Sequence, residues 1–418
     1  MTNNNDKKVL NVPPSTDKGN AIRNVPPLRF PEFSGEWKEE QLDSIATLSK
    51  GVGISKEQLS EVGEPCILYG ELYTKYKSEI IKQIESKTDI DCSKLKRSKA
   101  NDVIIPCSGE TAVDIATARC VPFDNILFGG DLNVISLHKY DGAFMSYQLN
   151  GKRKYDIARV AQGVSVVHLY GDHLKAIKTY NPTLPEQQKI AKLLSLLDER
   201  IATQNKIIEK YESLIQAIIY KTKTNGITKG SWQKMELSKV LHERNEKNID
   251  GRTICSVSVS QGVVNQVEYL GRSFAAQQTN HYNVVKYGDI VYTKSPTGDF
   301  PYGIIKRSDI EEDVAVSPLY GVYTPSNDNI GVILHFYFMK PSNAFNYLHP
   351  LIQKGAKNTI NITNLRFLEN FVPLPISENE AYTIATTLKT IQKKIDIEKR
   401  LLQAYMIEKE YLLRQMFI

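Results

Sequence analysis

Two stretches of this chain interleave aromatic, hydroxyl, amide and cationic side chains, the mixture needed to hold a phosphate backbone and touch base edges together. The first is Tyr69-Gly70-Glu71-Leu72-Tyr73-Thr74-Lys75-Tyr76. The second is Gln277-Gln278-Thr279-Asn280-His281, followed by Tyr292-Thr293-Lys294-Ser295-Pro296-Thr297. Lys, Arg, hydroxyl and amide groups hold phosphate oxygens, and Gln or Asn pairs bidentately with adenine, on the order of 1–3 kcal/mol of discrimination per good pair. Lys94-Leu95-Lys96-Arg97-Ser98-Lys99, Gly151-Lys152-Arg153-Lys154 and Gly271-Arg272-Ser273 add charge. In the first half the residues expected to make such contacts are Tyr73, Thr74, Lys75, Lys96, Arg97, Ser108, Thr111, Lys152, Arg153 and Lys154. In the second half they are Arg272, Gln277, Gln278, Thr279, Asn280, Lys294, Ser295 and Thr297. A single charge run is more often a solvated face, so the recurrence of the mixture in both halves carries the reading.

Other chemistry finds no support in the residue pattern. There is no G-x-x-x-x-G-K-[ST] loop, so nucleotide binding of the P-loop kind is excluded. The seven histidines form no H-E-x-x-H and no metal-spaced cluster. Five cysteines, odd in number and without a C-x-x-C spacing, fit a reduced cytoplasm rather than a zinc site. Asn11–Pro14 and Asn24–Pro27 carry Asn-Val-Pro-Pro without the aromatic of a methyltransferase loop. Asp102 and Asp289 precede strand-like runs as nuclease acids do, but no paired acid and lysine follows, so they read as turn residues entering strands. The chain is 41% hydrophobic and 24% charged, with net charge +6, which permits a nucleic-acid partner without requiring one. No apolar run is long enough to cross a bilayer and no signal peptide opens the chain; a cytoplasmic protein is expected. No catalytic role is expected of this chain alone.

The elements that must position these residues are written twice. Gly35, Trp37, Leu42 and Ile45 recur 195 residues on as Gly230, Trp232, Leu237 and Val240. Ile190, Leu194, Leu197, Ile201, Ile208 and Tyr211 recur 194 residues on as Ile384, Leu388, Ile391, Ile395, Leu402 and Tyr405. Steps of four and three alternate through both series, the heptad seam of a coiled coil. Pro185 suits the first turn of one helix, and Asn225-Gly226 is expected to end it, giving some 35 residues that reach roughly 53 Å. Gln204 and Glu398 share one heptad place, where a polar pair can fix register. Lys409 stands where Ile215 did, so that end of the seam is expected to splay or to meet another protein.

Strand signals are expected at Ile67–Tyr69, Val103–Ile105, Asn133–Leu137, Val284–Tyr292 and Gly331–Phe338. The expected fold class is therefore α+β: two globular domains separated by an antiparallel pair of long coiled-coil helices, with a pseudo-two-fold internal repeat. The boundaries read as a mobile N-terminal arm over 1–28, domains over 29–181 and 225–375, and helices over 182–224 and 376–418.

With these residues in view the chain resembles the specificity (S) subunit of bacterial type I restriction–modification systems, from about Arg29 onward. The carrying residues are Leu28-Arg29-Phe30-Pro31-Glu32-Phe33 leading into Gly35-Glu36-Trp37, and Pro182-Thr183-Leu184-Pro185-Glu186-Gln187-Gln188-Lys189-Ile190. In the second half they are Ser317-Pro318-Leu319-Tyr320 and Val372-Pro373-Leu374-Pro375. The second helix opens on Ile376-Ser377-Glu378-Asn379-Glu380 without the Glu-Gln pair, so the two helix starts are not expected to make identical contacts. The resemblance implies two target-recognition domains, each reading one half of a bipartite double-stranded DNA target, with the helices setting the gap. It implies docking of two methyltransferase subunits, and restriction/translocase subunits in the full complex. S-adenosylmethionine, ATP and Mg then belong to those partners, with no cofactor bound by this chain. Two rivals stay open on the residues alone. One is an enzyme active by itself, which needs a methyl-donor loop and a catalytic tetrapeptide that are not visible; the other is a coiled-coil adaptor binding only protein.

Overall fold

The computed structural model describes residues 24–163, 165–272, 275, 278–354 and 360–418. Its contacts divide the chain into two compact units, residues 1–202 with 403–418, and residues 203–402. In the first unit, Lys38–Gln41 lies antiparallel to Lys178–Asn181; in the second, Trp232–Glu236 lies antiparallel to Phe371–Pro375. The opening strand of each domain is thus tied to its closing strand, immediately ahead of a long helix. A short helical turn then buries Leu42 or Leu237 completely.

A four-stranded antiparallel sheet follows, with one strand order in both units. In the first it runs Ala46–Lys50, Leu132–Leu137, Asp102–Pro106, Arg119–Val121; in the second, Leu241–Glu243, Gly321–Pro325, Ile290–Tyr292, Ile305–Arg307. The register sets Arg119 opposite Ile104 and Lys306 opposite Val291. Asp102 and Asp289 enter the same strand of this sheet, and their carboxylates accept the backbone N–H of Lys99 and Lys286 at 2.8 Å, as turn residues do. The units differ in what is inserted. Both units pair one strand ahead of the sheet with a later one, Lys96–Arg97 with Leu127–Phe128 and Asn283–Val285 with Val314–Val316, but the first builds this pair into a five-stranded sheet, while the second adds the hairpin Cys255–Ser258 with Gly262–Asn265.

Three strand expectations fail locally. Gly331–Phe338 is helical, within Asp328–Phe338. Ile330, Val332, Ile333, Leu334, Phe336 and Phe338 are all buried, so no period marks the run, and the Asn327 side chain caps it by accepting the N–H of Ile330 at 3.0 Å. Val284–Tyr292 breaks into two strands at Gly288, whose φ of +88° is left-handed. The strand Glu64–Ile67 ends where Ile67–Tyr69 was expected to begin, because the chain turns there into the short helix Glu71–Thr74.

The long helices are Leu184–Lys229 and Glu378–Gln415. The first runs through the expected stop at Asn225-Gly226. A Cβ on Gly226 would lie 1.9 Å from the Trp232 ring, so glycine serves there for close approach, and the chain turns later, at Gly230 with φ +73°. In the first unit Ile190 and Leu194 pack with Trp37, Phe144, Met416 and Phe417. In the second, Ile208, Ile215, Ile384, Leu388, Ile391 and Ile395 join one core with Trp232. Gln204 Nε2 donates to the Glu398 carboxylate and to its backbone carbonyl at 3.3 Å, so the two polar seam positions pair with each other. Equivalent positions of a repeat meet only where the two helices run antiparallel, which makes this pair a register mark.

Each domain is latched to the helix that follows it. Trp37 Nε1 donates to Glu186 at 3.3 Å, and Trp232 Nε1 donates to Glu380 at 2.8 Å. Glu380 stands 194 residues after Glu186. The second helix start therefore keeps the acid, and only Gln187, which bonds Pro182 and Asp141, gives way to a buried alanine, Ala381. In the first unit Arg29 adds a two-pronged bond to Glu186, both prongs 2.7 Å. Part of the expected mobile arm is held: Trp37 N–H donates to Asn24 and Leu28 N–H to Gln415. The rest of the arm, 1–23, lies outside the described residues. Lys409 does not splay. It is bridged to Glu79 and Asp198, each at 2.6 Å, and Tyr147 donates its hydroxyl to Asp198 at 2.6 Å.

Candidate nucleic-acid interface

In the first unit the mixed stretch 69–76 is not a strand. Gly70 leads into the turn Glu71–Thr74, which sets Tyr69 and Tyr73 on the rim of a cavity of about 720 Å³. Ser108, Gly109, Glu110 and Asp114 form the opposite wall, with Ser165 and Val166 closing it. Tyr73 donates its hydroxyl to the Ser108 carbonyl at 2.9 Å. A Cβ on Gly109 would lie 2.9 Å from that hydroxyl, so glycine is what lets the walls meet. Burial pushes the Tyr73 phenol well above its ordinary value, leaving a neutral donor at any physiological pH. Thr111 caps the next short helix and donates to Asp114 at 2.6 Å.

The structure brings Tyr73, Thr74, Ser108 and Thr111 to one place and takes the expected cations elsewhere. Lys75 bonds Glu71 and Ser86, each at 2.7 Å. Arg97 forks onto Glu64 at 2.5 and 2.9 Å, which holds the Glu64 carboxyl below its ordinary value. Arg153 donates to the carbonyl of Ile418 at 2.8 Å, pairs with Asp156 and lies over the Tyr180 ring. These arginines hold the fold together. Lys96 is half-buried in its strand, Lys152 is exposed and Lys154 is half-buried at a helix start.

Sequence reasoning missed the neighbouring wall. Val167–His168 pairs with Ser108–Gly109, which sets the His168 ring 3.4 Å from the Ser108 hydroxyl. His168 stacks on Tyr170 with ring centroids 6.3 Å apart, Tyr170 meets His173 edge-on, and Lys50 lies over the Tyr170 ring at 5.9 Å. Tyr69, Tyr170 and Val166 are large and exposed here. The signal that could have found them is the interleaved run His168-Leu169-Tyr170-Gly171-Asp172-His173. Exposed rings, hydroxyls and a lysine offer stacking and phosphate contacts, while a carboxylate such as Glu110 can accept from the cytosine amino group.

In the second unit Gln278, Asn280 and Arg272 are exposed, and Thr279 is half-buried, accepting from Asn248 at 3.4 Å. Gln277 lies outside the described residues. Lys294 has a left-handed φ of +59° and is half-buried, and that burial lowers its pKa. Ser295 and Thr297 are exposed on the following turn, closed by a Thr297–Phe300 bridge. No bond joins the 278–280 group to the 294–297 group among the described contacts.

A family model described as the type I restriction modification DNA specificity domain matches residues 34–213. That span covers the first domain with its latch and the first half of the heptad seam. Over residues 34–213 the chain thus matches the DNA specificity domain of type I restriction–modification systems, and beyond that span it is similar to their specificity subunits. A curated relative, the type I restriction enzyme MjaVIII specificity subunit of Methanocaldococcus jannaschii, is 24% identical over 326 residues, 72% of this chain and 74% of its own length. A crystal structure of a type I restriction–modification S subunit from M. genitalium superposes with TM-score 0.62 at 16% identity, over 94% of this chain and 99% of that one. The fold of that S subunit is thus shared along nearly the whole chain. Among the described residues no helix is long and apolar enough to cross a membrane, and no group of His, Cys, Asp and Glu is placed to hold a metal.

Proposed function

We propose that each compact unit reads one half of a bipartite double-stranded DNA target, and that the two long helices set the gap between the halves. The observation supporting this reading is the unequal inheritance of the repeat. The opening and closing strands, the Trp–Glu latch, the sheet order, the strand pair beside the sheet and the seam are held in common, while the segments joining them differ in length and in the side chains they expose, as Ile67 to Ser86 does from Ser258 to Gly262. A common frame with unlike inserts suits one molecule that presents two different reading surfaces. In the first unit the reading surface is the wall of Tyr69, Tyr73, Ser108, Glu110, His168 and Tyr170; in the second it is the exposed group around Arg272, Gln278 and Asn280.

Methyl transfer and cleavage fall to partners in this proposal. Two methyltransferase subunits dock on the helices, restriction/translocase subunits join them in the full complex, and S-adenosylmethionine, ATP and Mg are bound by those subunits in the cytoplasm. The exposed apolar residues Met406, Ile407 and Tyr411 of the second helix offer one face for such docking. The test is mapping of methylated DNA from cells carrying the complex. Alanine at Gln278 and Asn280 should relax one half-site only, and alanine at Ser108 and Tyr170 the other only. Equal relaxation of both half-sites by either pair would sink the assignment, and a complex whose DNA affinity is flat with salt would sink DNA reading altogether.

A further inference from the structure

The second unit contains a cavity whose lining includes none of the residues assigned above to the proposed reading surface. It measures about 490 Å³ and lies between the edge strand Ile305–Arg307, the buried helix Asp328–Phe338 and the two long helices. Val332, Phe336, Met339, Ile215 and Ile395 give it an apolar floor. Lys306 lines it with only 3% of its surface exposed, and burial brings its pKa down to about 8. Among the described residues no carboxylate stands within ion-pairing distance of Lys306. The acids nearest the cavity are engaged elsewhere: Asp309 with Arg307, Glu212 with Lys399 at 3.1 Å, and Asp396 with Gln392 at 2.9 Å.

The internal repeat says what is missing. By sheet register Lys306 is the counterpart of Arg119, and by the 194-residue step Ile215 and Gln392 are the counterparts of Lys409 and Asp198. In the first unit this place is full: Asp198 and Glu79 meet Lys409, and both acids act on the buried Arg119. Glu79 arrives on a segment that runs along the sheet edge, where its carbonyl accepts the Cys120 N–H at 2.7 Å. Among the described residues of the second unit no segment is bridged along the outer edge of Ile305–Arg307. The counterpart N–H, of Arg307, is taken by the His335 ring at 3.0 Å, and the space beyond stays open. One unit thus sets its own carboxylates by its buried cation; in the other, among the described residues, the cation stays and no acid is paired with it.

We propose that this cavity is a binding site for a carboxylate-bearing small molecule, its carboxylate beside Lys306 and its apolar body on Val332, Phe336 and Met339. A volume near 490 Å³ lies within the range of small-ligand pockets. A buried ammonium without a partner is costly, and a bound carboxylate removes that cost. Arg307 places its two Nη groups on Asp309 and Asp328 and keeps only its Nε unbonded, and His335 accepts the Arg307 N–H, so the anion's main contact falls on Lys306, with Lys389 and Lys393 at the rim.

The test uses the full chain and four probes: benzoate, hexanoate, benzyl alcohol and inorganic phosphate. Titrations followed by calorimetry and by NMR of the lysine ε-methylene groups should show saturable binding of both carboxylates. Lys306→Met should weaken that binding at least tenfold. Gln392→Asp, which puts a carboxylate where Asp198 stands in the other unit, should raise the melting temperature and exclude benzoate. Absence of saturable carboxylate binding overturns the proposal, as does undiminished binding to Lys306→Met. Benzyl alcohol binding as tightly as benzoate would reduce the site to an apolar void, and phosphate binding as tightly would reduce it to an unselective cation.

Discussion

Lys409 is the residue at which the two halves of the repeat diverge most in chemistry. Its counterpart Ile215 is an apolar core residue, whereas Lys409 is held between Glu79 and Asp198 with little exposure. Burial lowers its pKa, but the two carboxylates more than offset this, and the net shift is upward. Its stabilisation is therefore fully present below its ordinary value of 10.5 and lost as pH rises through the higher folded value. Lys409→Met, which copies the apolar half, should cost about 3–5 kcal/mol, because two acids stay buried without a cation. Urea unfolding checks this, and a loss below about 1 kcal/mol would mean that water satisfies the acids. His335 carries the opposite dependence. Burial, then Lys306 and Arg307, bring its pKa from 6.5 to about 3, so the neutral ring accepts the Arg307 N–H. The second unit should lose stability progressively as pH falls from 6.5 towards 3, and His335→Gln should flatten that slope in pH-dependent melting.

At the scale of elements, what the sequence discloses depends on whether a contact leaves a period. The heptad seam was legible because its residues repeat along one helix face, and the Gln204–Glu398 pair was legible as two polar residues at one heptad place. The helix Asp328–Phe338 was not, because burial on all sides erases the period and β-branched residues then mimic a strand. Of the residues singled out by type, Tyr73, Thr74 and Ser108 lie around one cavity, while Arg97 and Arg153 bond Glu64 and Ile418, partners 33 and 265 residues away. Nothing in local spacing announces such partners. Gly226 shows the same limit, since its signal as a helix stop was overruled by contact with Trp232. Gly226→Ala gains helix propensity of about 1 kcal/mol but must expel the indole, an overpacking cost of about 1–3 kcal/mol, and also breaks the Trp232–Glu380 latch. The clash should win. With Trp37 replaced by phenylalanine to leave one tryptophan, the variant should melt lower and show red-shifted Trp232 emission; unchanged emission would show that the helix yields instead.

For the molecule as a whole, the repeat is strict where the chain holds a frame and loose where it presents a surface. Gly35 to Ile45 and Gly230 to Val240 keep one step, and Ile190 to Tyr211 and Ile384 to Tyr405 keep another, while the segments connecting the domain strands keep no common length. If the strict part measures DNA, as proposed, its length should be readable in the target. A heptad inserted after Ile201 and another after Ile395, equivalent places in the repeat, preserve the seam on both helices. Seven helical residues add about 10.5 Å, close to three base pairs of rise at about 3.4 Å each. Methylation mapping should then return the same two half-sites separated by a gap about three base pairs longer. Methylation should also be weaker overall, because three base pairs turn the duplex by roughly a third of its ten-base-pair helical repeat while a heptad leaves the helix face unchanged. An insertion that leaves the gap as it was would show that the helices hold the chain together without measuring anything.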